Sequence, residues 1–286
     1  MAFTFGCDPE IFLNKNGKAI SAYGLIPGDK KNPFKTDGGA VQVDGMATEF
    51  NTDPIDQNDF EGFNINIIKQ IKQIKAMVGS GVSLSIVPVQ DFDEKTMAEA
   101  PDEAKELGCD PDYNAYTLEP NPRPEGEDVL FRTGAGHIHI GWGADIPVDN
   151  EDHIKICADF VKMLDLFVGF FMTYIDREPR RRELYGKAGA FRPKSYGVEY
   201  RTPSNVWIKN RNYRYLIHKL TNLAITRHTQ GYTPEQYFVG KVFNPKKSIV
   251  DIINTGDYRT AKTFLDMVLA YDPTWKEVRT QIEKGV

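Results

Sequence analysis

Three observations predict a globular fold of mixed helices and strands. Four short segments alternate apolar with ionisable residues, three longer ones carry apolar residues at helical spacing, and no apolar run is long enough to cross a membrane. The 286 residues are 41% apolar, 12% aromatic and 26% charged, which excludes a disordered, collagen-like or coiled-coil chain. That length suits one large domain or two small ones. The apolar run at residues 167–172 falls far short of the ~20 residues a bilayer requires. The opening Met1-Ala-Phe-Thr-Phe-Gly6 lacks the basic-then-apolar order of a secretory signal. Cys7, Cys109 and Cys157 are too few and too scattered for a disulfide framework or a structural zinc site, so a reducing cytoplasm is expected.

Candidate strands span residues 2–13, 18–23, 40–51, 82–89, 136–142 and 196–202, about six in all. A helix from about 58 to 78 follows from the spacing of Phe63, Ile67, Ile71, Ile74 and Val78. A second, about 151 to 176, carries Ile154, Phe160, Val161, Leu164, Phe167, Val168, Phe171 and Ile175. A third, about 211 to 229, places Leu216, Ile217, Leu220, Leu223 and Ala224 together. Beyond Pro234 the chain reads as short helices stopped by Gly256 and Pro273. No repeat of 20–50 residues is present.

Charge is unevenly spread. Residues 91–128 hold thirteen acids against three bases and five prolines, and read mainly as surface loop. Residues 177–201 hold eight bases against three acids, a segment able to meet phosphate groups. The net charge of −5 argues against general nucleic-acid binding.

The four alternating segments carry the chemistry. In residues 3–13, Asp8 and Glu10 share a face opposite Phe3, Phe5, Cys7, Ile11 and Leu13. In residues 47–51, Glu49 and Asn51 oppose Phe50. In residues 137–142, His137 and His139 oppose Ile138, Ile140 and Trp142. In residues 197–202, Glu199 and Arg201 oppose Val198 and Tyr200. Each face alone reads more readily as the solvated side of a strand. Together they differ from a solvated surface, because they gather acids, histidines and one arginine with no lysine. Carboxylates brought close need cations between them, and oxygens with one or two imidazoles suit Mg²⁺, Mn²⁺ or Zn²⁺. His153, His218 and His228 fall on helices and are not expected as ligands. The run from Leu184 to Arg201 adds Lys187, Arg192 and Lys194 beside Gly186 and Gly189, with neither a Walker loop nor a dinucleotide fingerprint. Arg177, Arg180, Arg181 and Arg182, just upstream, read as a solvated helix end.

The combination of Gly6-x-Asp8-x-Glu10, Asp44-Gly45 with Glu49-Phe-Asn51, Gly136-His-Ile-His-Ile-Gly141, and Tyr185-Gly-Lys-x-Gly with Gly197-Val-Glu-Tyr-Arg201 resembles the phage-type carboxylate–amine (COOH–NH2) ligases. These are compact relatives of glutamine synthetase and glutamate–cysteine ligase. The resemblance covers about residues 3–207. It implies an α+β fold: a mainly antiparallel sheet of about six strands, helices on one face and an open catalytic face. One catalytic domain over residues 1–286 is expected, with a helical C-terminal extension from about 208 that the resemblance does not cover.

Carried over by residue, it implies metal ligation by Asp8, Glu10, Glu49, His137 or His139, and Glu199. Nucleotide contacts would come from Arg192 and Arg201, with Lys187 and Arg132 as weaker candidates. Arg192, Glu199 and Arg201 would be catalytic. The cofactors are ATP with Mg²⁺ or Mn²⁺; the partners are small or peptide-like acids and amines; the place is the host cytoplasm if the chain is phage-encoded.

Two departures matter. The sequence begins at the acid-x-acid strand, without the small N-terminal domain of glutamine synthetase, so oligomeric state and the group deprotonating the amine do not transfer. The histidine strand is offset by one position, leaving open which histidine binds metal. Three further readings stay open: a guanidino or amine kinase of related fold, a metal-dependent hydrolase using His137 and His139, and a non-catalytic virion or binding protein.

Overall fold

Phe3, Phe5, Cys7, Ile11 and Leu13 are buried along one face of a long first strand, and the rest of the sheet assembles around it. The computed structural model describes residues 2–105, 112–122, 129–143, 152–238 and 246–285. In chain order the strands are β1 (Phe3–Lys15), β2 (Lys18–Ile20), β3 (Phe34–Thr36), β4 (Gly39–Asp44), β5 (Ala47–Thr52), β6 (Ile55–Asp56), β7 (Val82–Ser85), β8 (Val89–Asp91), β9 (Tyr113–Asn114), β10 (Phe131–Thr133), β11 (Gly136–Trp142), β12 (Ala190–Lys194) and β13 (Gly197–Tyr200). The helices are α1 (Phe60–Val78), α2 (Glu94–Glu99), α3 (Asp102–Lys105), α4 (His153–Leu164), α5 (Phe170–Ile175), α6 (Arg180–Leu184), α7 (Arg211–Thr229), α8 (Pro234–Phe238), α9 (Ile249–Thr255), α10 (Tyr258–Val268) and α11 (Pro273–Glu283).

Among the described residues the main sheet has eleven strands, ordered β3-β4-β5-β1-β11-β13-β12-β9, with β2, β6 and β7 also pairing with β1. Every pairing is antiparallel, so the fold is α+β. The apolar face of β1 packs with Phe63, Ile67 and Ile74 of α1, Cys157 and Val161 of α4, and Leu216 and Leu220 of α7. The C-terminal helices join the same core through Ile252, Phe264 and Trp275. None of the described helices is long and apolar enough to cross a membrane.

The sheet is nearly twice as large as expected, for identifiable reasons. The segment 40–51 is a hairpin: Gly45-Met46 forms the turn between the paired Asp44 and Ala47, with Gly45 at φ 54°, and joins β4 to β5. Residues 82–89 are cut at Pro88; β7 pairs with β1, whereas β8 pairs with β10 in a separate two-stranded sheet. β3, β6, β9 and β10 are two or three residues long, too short to show alternation. β12 lay hidden in the basic run because it contains Pro193. The proline is tolerated because β9 pairs only Ala190 and Phe191, leaving β12 an edge beyond them.

The second expected helix is α4 and α5 joined through a π turn at Asp165–Gly169. The acidic segment is not simply loop. It holds α2 and α3; Met97 of α2, Ala104 of α3 and Ala100 between them form a small second core with Phe12, Met46, Ala47 and Phe92. The opposite face of β1 is therefore open only as far as Glu10 and roofed at Phe12. Cys109 lies outside the described residues, as do the rest of 106–111 and residues 123–128.

Candidate active site

Strand pairing places the four polar faces side by side. Asp8 lies opposite His137, Glu10 opposite Glu49, and His139 opposite both Gly6 and Glu199. Arg192 lies on the other flank of Glu199, and Gln42 on the other flank of Glu49. Ile138 and Ile140 are buried in the core, so both histidines face the carboxylates, as strand alternation requires. His153 bonds the Lys194 carbonyl, and His218 and His228 pack on aromatic rings, all three away from the acids.

The acids form two groups. In each, one donor atom per residue lies within 4.8 Å of the others: Glu10, Asp44 and Glu49 in one, Asp8, His139 and Glu199 in the other. Asp44 was not anticipated as a ligand, although it alternates with Gln42 onto the same face of β4.

The first group is short of cations. Burial, with the charge of Asp44 next, pushes the Glu10 carboxyl up to about 7. Burial, followed by the charges of Asp8, Asp44 and Glu10, holds Glu49 well above the usual carboxylate range. Lys30 reaches Asp44 at 2.8 Å, and neutral donors come from Gln42 to Glu49 (2.8 Å) and from the Ala135 amide to Glu10 (2.8 Å).

The second group is rich in cations. His137 Nδ1 lies 3.2 Å from Asp8 Oδ1, and His139 Nε2 lies 3.1 Å from Asp8 Oδ2. Burial would raise the Asp8 carboxyl, but the two imidazoles outweigh it and hold it well below its ordinary value. Glu199 is 1% exposed and meets Arg201, Lys194 (2.7 Å), Arg192 (3.4 Å) and His137 (3.5 Å). Burial and Asp8 push Glu199 up; Arg201 and then the two histidines pull harder and bring it to about 2. Among the histidines, burial holds His137 below its usual range. For His139 burial acts the same way, but Asp8 outweighs it and the net shift is upward.

Divalent cations fit this donor set. The Glu10 group is all oxygen, as Mg²⁺ and Mn²⁺ prefer, and the Asp8 group adds one imidazole. Asp8 Oδ1 and His139 Nε2 are buried at contact distance from neighbours yet without an aligned hydrogen bond. Two such polar atoms converging on one space are what a coordinated ion would satisfy.

Cavities open on both sides of the acids. One, of about 90 Å³, is lined by Glu10, Asp44, Arg132, His137, Arg181 and Arg201 among others. The other, of about 490 Å³, is lined by Asp8, Gln42, Glu49, Asn51, His139 and Tyr196 among others.

Arg181 corrects the expectation of a solvated helix end. Its guanidinium is buried, donates to the Thr202 and Pro203 carbonyls, and has Gly186 packed against it at φ 71°, where a Cβ would collide with Nη1. Arg132 lines the first cavity but donates to the carbonyls of Val129, Phe131 and Lys105. Lys187 is exposed and lines neither cavity. Asp112, read as part of an acidic loop, accepts from Arg201 Nε at 3.0 Å.

Residues 129–241, less than half of the chain, match a sequence model for the family described as phage phiEco32-like COOH.NH2 ligase-type 2. No curated protein sequence matches the chain. Among solved structures, a cryo-EM glutamine synthetase from Plasmodium falciparum superposes with a TM-score of 0.47 at 10% identity, covering 99% of this chain and 72% of that one. A ligand-free GmaS gives 0.44 at 13% identity, covering 98% and 70%. The resemblance read from the strand motifs is thus borne out over residues 129–241, by similarity to a family of phage carboxylate–amine ligases.

Proposed function

We propose that the protein is an ATP-dependent carboxylate–amine ligase that forms an amide through an acyl phosphate and releases ADP and phosphate. The observation that carries this reading is the juxtaposition of two acidic groups with Arg192 and Arg201 on one sheet face. Acids that need cations and arginines able to meet an anion are both satisfied by a metal-bound triphosphate.

Glu10, Asp44 and Glu49 would hold one ion, and Asp8, His139 and Glu199 another; bound Mg²⁺ or Mn²⁺ supplies charge neutralisation of the triphosphate. Arg192 sits 3.4 Å from Glu199 and would meet the transferred phosphoryl group. Arg201 is set against Asp112 and Glu199 and would steady the same charge during transfer. An activated acid is then attacked by an amine, small or peptide-like. The helices after residue 208 share the core and belong to the same catalytic unit on this reading. It places the chain in the host cytoplasm of a phage.

The family similarity over residues 129–241 supports the reading, because that stretch contains both histidines, Arg192, Glu199 and Arg201. A thermal melt is the simplest test. ATP with Mg²⁺ should raise the midpoint by more than Mg²⁺ alone, because a ligand of the folded state stabilises by mass action. No rise with ATP would remove the nucleotide, and a hydrolase would then fit better.

A further inference from the structure

We infer that Asp165 is a positioning residue for Arg201: its buried carboxylate holds the chain on both sides of that arginine from the face opposite the cleft. Asp165 is fully buried and opens the π turn between α4 and α5. Its Oδ1 accepts from the Tyr200 hydroxyl (2.7 Å) and lies 3.3 Å from the Thr202 hydroxyl, whose proton is shared with the nearer Lys187 carbonyl (2.9 Å); Tyr200 and Thr202 are the two neighbours of Arg201. Its Oδ2 accepts from the Gly189 amide (2.6 Å) and the Tyr116 hydroxyl (3.1 Å). Three undivided donors and the shared Thr202 hydroxyl surround the carboxylate, and all four are neutral.

The bonds tie together three stretches that meet at the site. Tyr200 and Thr202 point toward Asp165, so alternation sends Arg201 to the cleft, where it meets Asp112 and Glu199. Gly189 precedes Ala190, whose carbonyl accepts from the Arg201 amide at 2.9 Å, and the Gly189 carbonyl accepts from Ala115 at 2.8 Å. Tyr116 anchors the segment that carries Asp112. Gly169, which closes the π turn, leaves the space: a Cβ there would lie 3.0 Å from the Tyr200 hydroxyl.

A buried carboxylate with no cationic partner is costly, and an apolar side chain would serve packing alone better. Burial raises the Asp165 carboxyl to about 7, although the surrounding hydrogen bonds act the other way. Its placement beneath Arg201 gives the cost a purpose. π turns recur at functional sites for the same reason, since they aim a residue that a regular helix cannot.

The test is site-resolved labelling with phenylglyoxal, an arginine reagent, read by peptide mapping in the full chain. Arg214 is the internal reference: it is as buried as Arg201 but held by Asn64 and the Ile208 carbonyl. Asp165→Asn puts an amide donor where two donors already point, and Arg201 should label roughly tenfold faster while Arg214 stays protected. Tyr116→Phe removes one donor and should raise Arg201 labelling roughly threefold. If Asp165→Asn does not fold, Tyr116→Phe decides alone. Wild-type protection of Arg201 in the folded variants would overturn the inference. Equal exposure of Arg201 and Arg214 would overturn it too, since Asp165 would then be a general support of the fold. The labelling uses no substrate, so its outcome is separate from whether the protein makes amides.

Discussion

The two acidic groups on the sheet face share residue types but differ in what surrounds them. Asp8 and Glu199 sit among two imidazoles, Arg192, Lys194 and Arg201, and both carboxyls are held below their ordinary range. Glu10 and Glu49 sit among each other and Asp44, with Lys30 as the nearby ammonium, and both are pushed up. The charge of one group is largely balanced from within; that of the other is balanced by protons or by a cation from outside. On the proposed function both groups hold metal, the Asp8 group with cationic side chains close beside it and the Glu10 group crowded by other carboxylates.

The largest effect should come from the half neutralised from within. Glu199→Gln leaves Arg192, Lys194 and Arg201 around an uncharged side chain. ATP-dependent turnover should fall by about 10²–10³-fold with the circular dichroism spectrum unchanged. Near-wild-type turnover would take Glu199 out of the chemistry.

Next, equivalent neutralisations in the two halves should act with opposite sign on the metal-free protein. Glu49→Gln relieves crowded carboxylates, so the melting midpoint in EDTA should rise, while Mn²⁺ affinity falls about tenfold or more. Asp8→Asn strips two imidazoles of their partner and should lower stability by about 1–3 kcal/mol. Shifts of the same sign in both variants would erase the distinction.

A pH series sharpens the contrast. Glu10 and Asp165 have carboxyls raised to about 7, so the folded chain binds protons that the unfolded chain has released. That stability is complete below the unfolded values near 4 and is lost as pH rises through about 7. In EDTA the midpoint should therefore fall between pH 5 and pH 7.5, roughly a span of two to three pH units. Saturating Mg²⁺ should flatten the slope, because an ion favours ionised Glu10. A midpoint that holds or rises with pH in EDTA would contradict the assignment.

The smallest effect is expected from Lys30→Met. The Lys30–Asp44 pair is half exposed on the lysine side, so stability should change by under ~1 kcal/mol and Mn²⁺ binding tighten a few-fold at most. Loss of Mn²⁺ binding in this variant would mean that Lys30 supports the site rather than competing for it.

Much of the site was legible in the sequence because strand alternation is local. Asp8, Glu10, Glu49, His137, His139, Glu199 and Arg201 all lie on the face their spacing implies, and α7 runs over the expected residues 211–229. What escaped depends on contacts distant along the chain. Asp165 reads as one polar residue in an apolar helix, and its four partners are 24 to 49 positions away. Arg181 stands in a run of arginines that looks solvated, until Gly186 folds over it. Asp44 entered the sequence reading only beside Gly45 in a motif, which left unread the carboxylate that β4 presents to Glu10 and Glu49.

Hydroxylamine trapping tests the central claim most directly. It replaces the unknown amine and converts an acyl phosphate to a hydroxamate, so a panel of amino acids and short peptides can be screened with ATP and Mg²⁺. The account predicts hydroxamate formed in step with ADP and phosphate, and lost in Glu199→Gln. AMP and pyrophosphate as the products, or a stable phosphorylated amine or guanidine in place of hydroxamate, would contradict it.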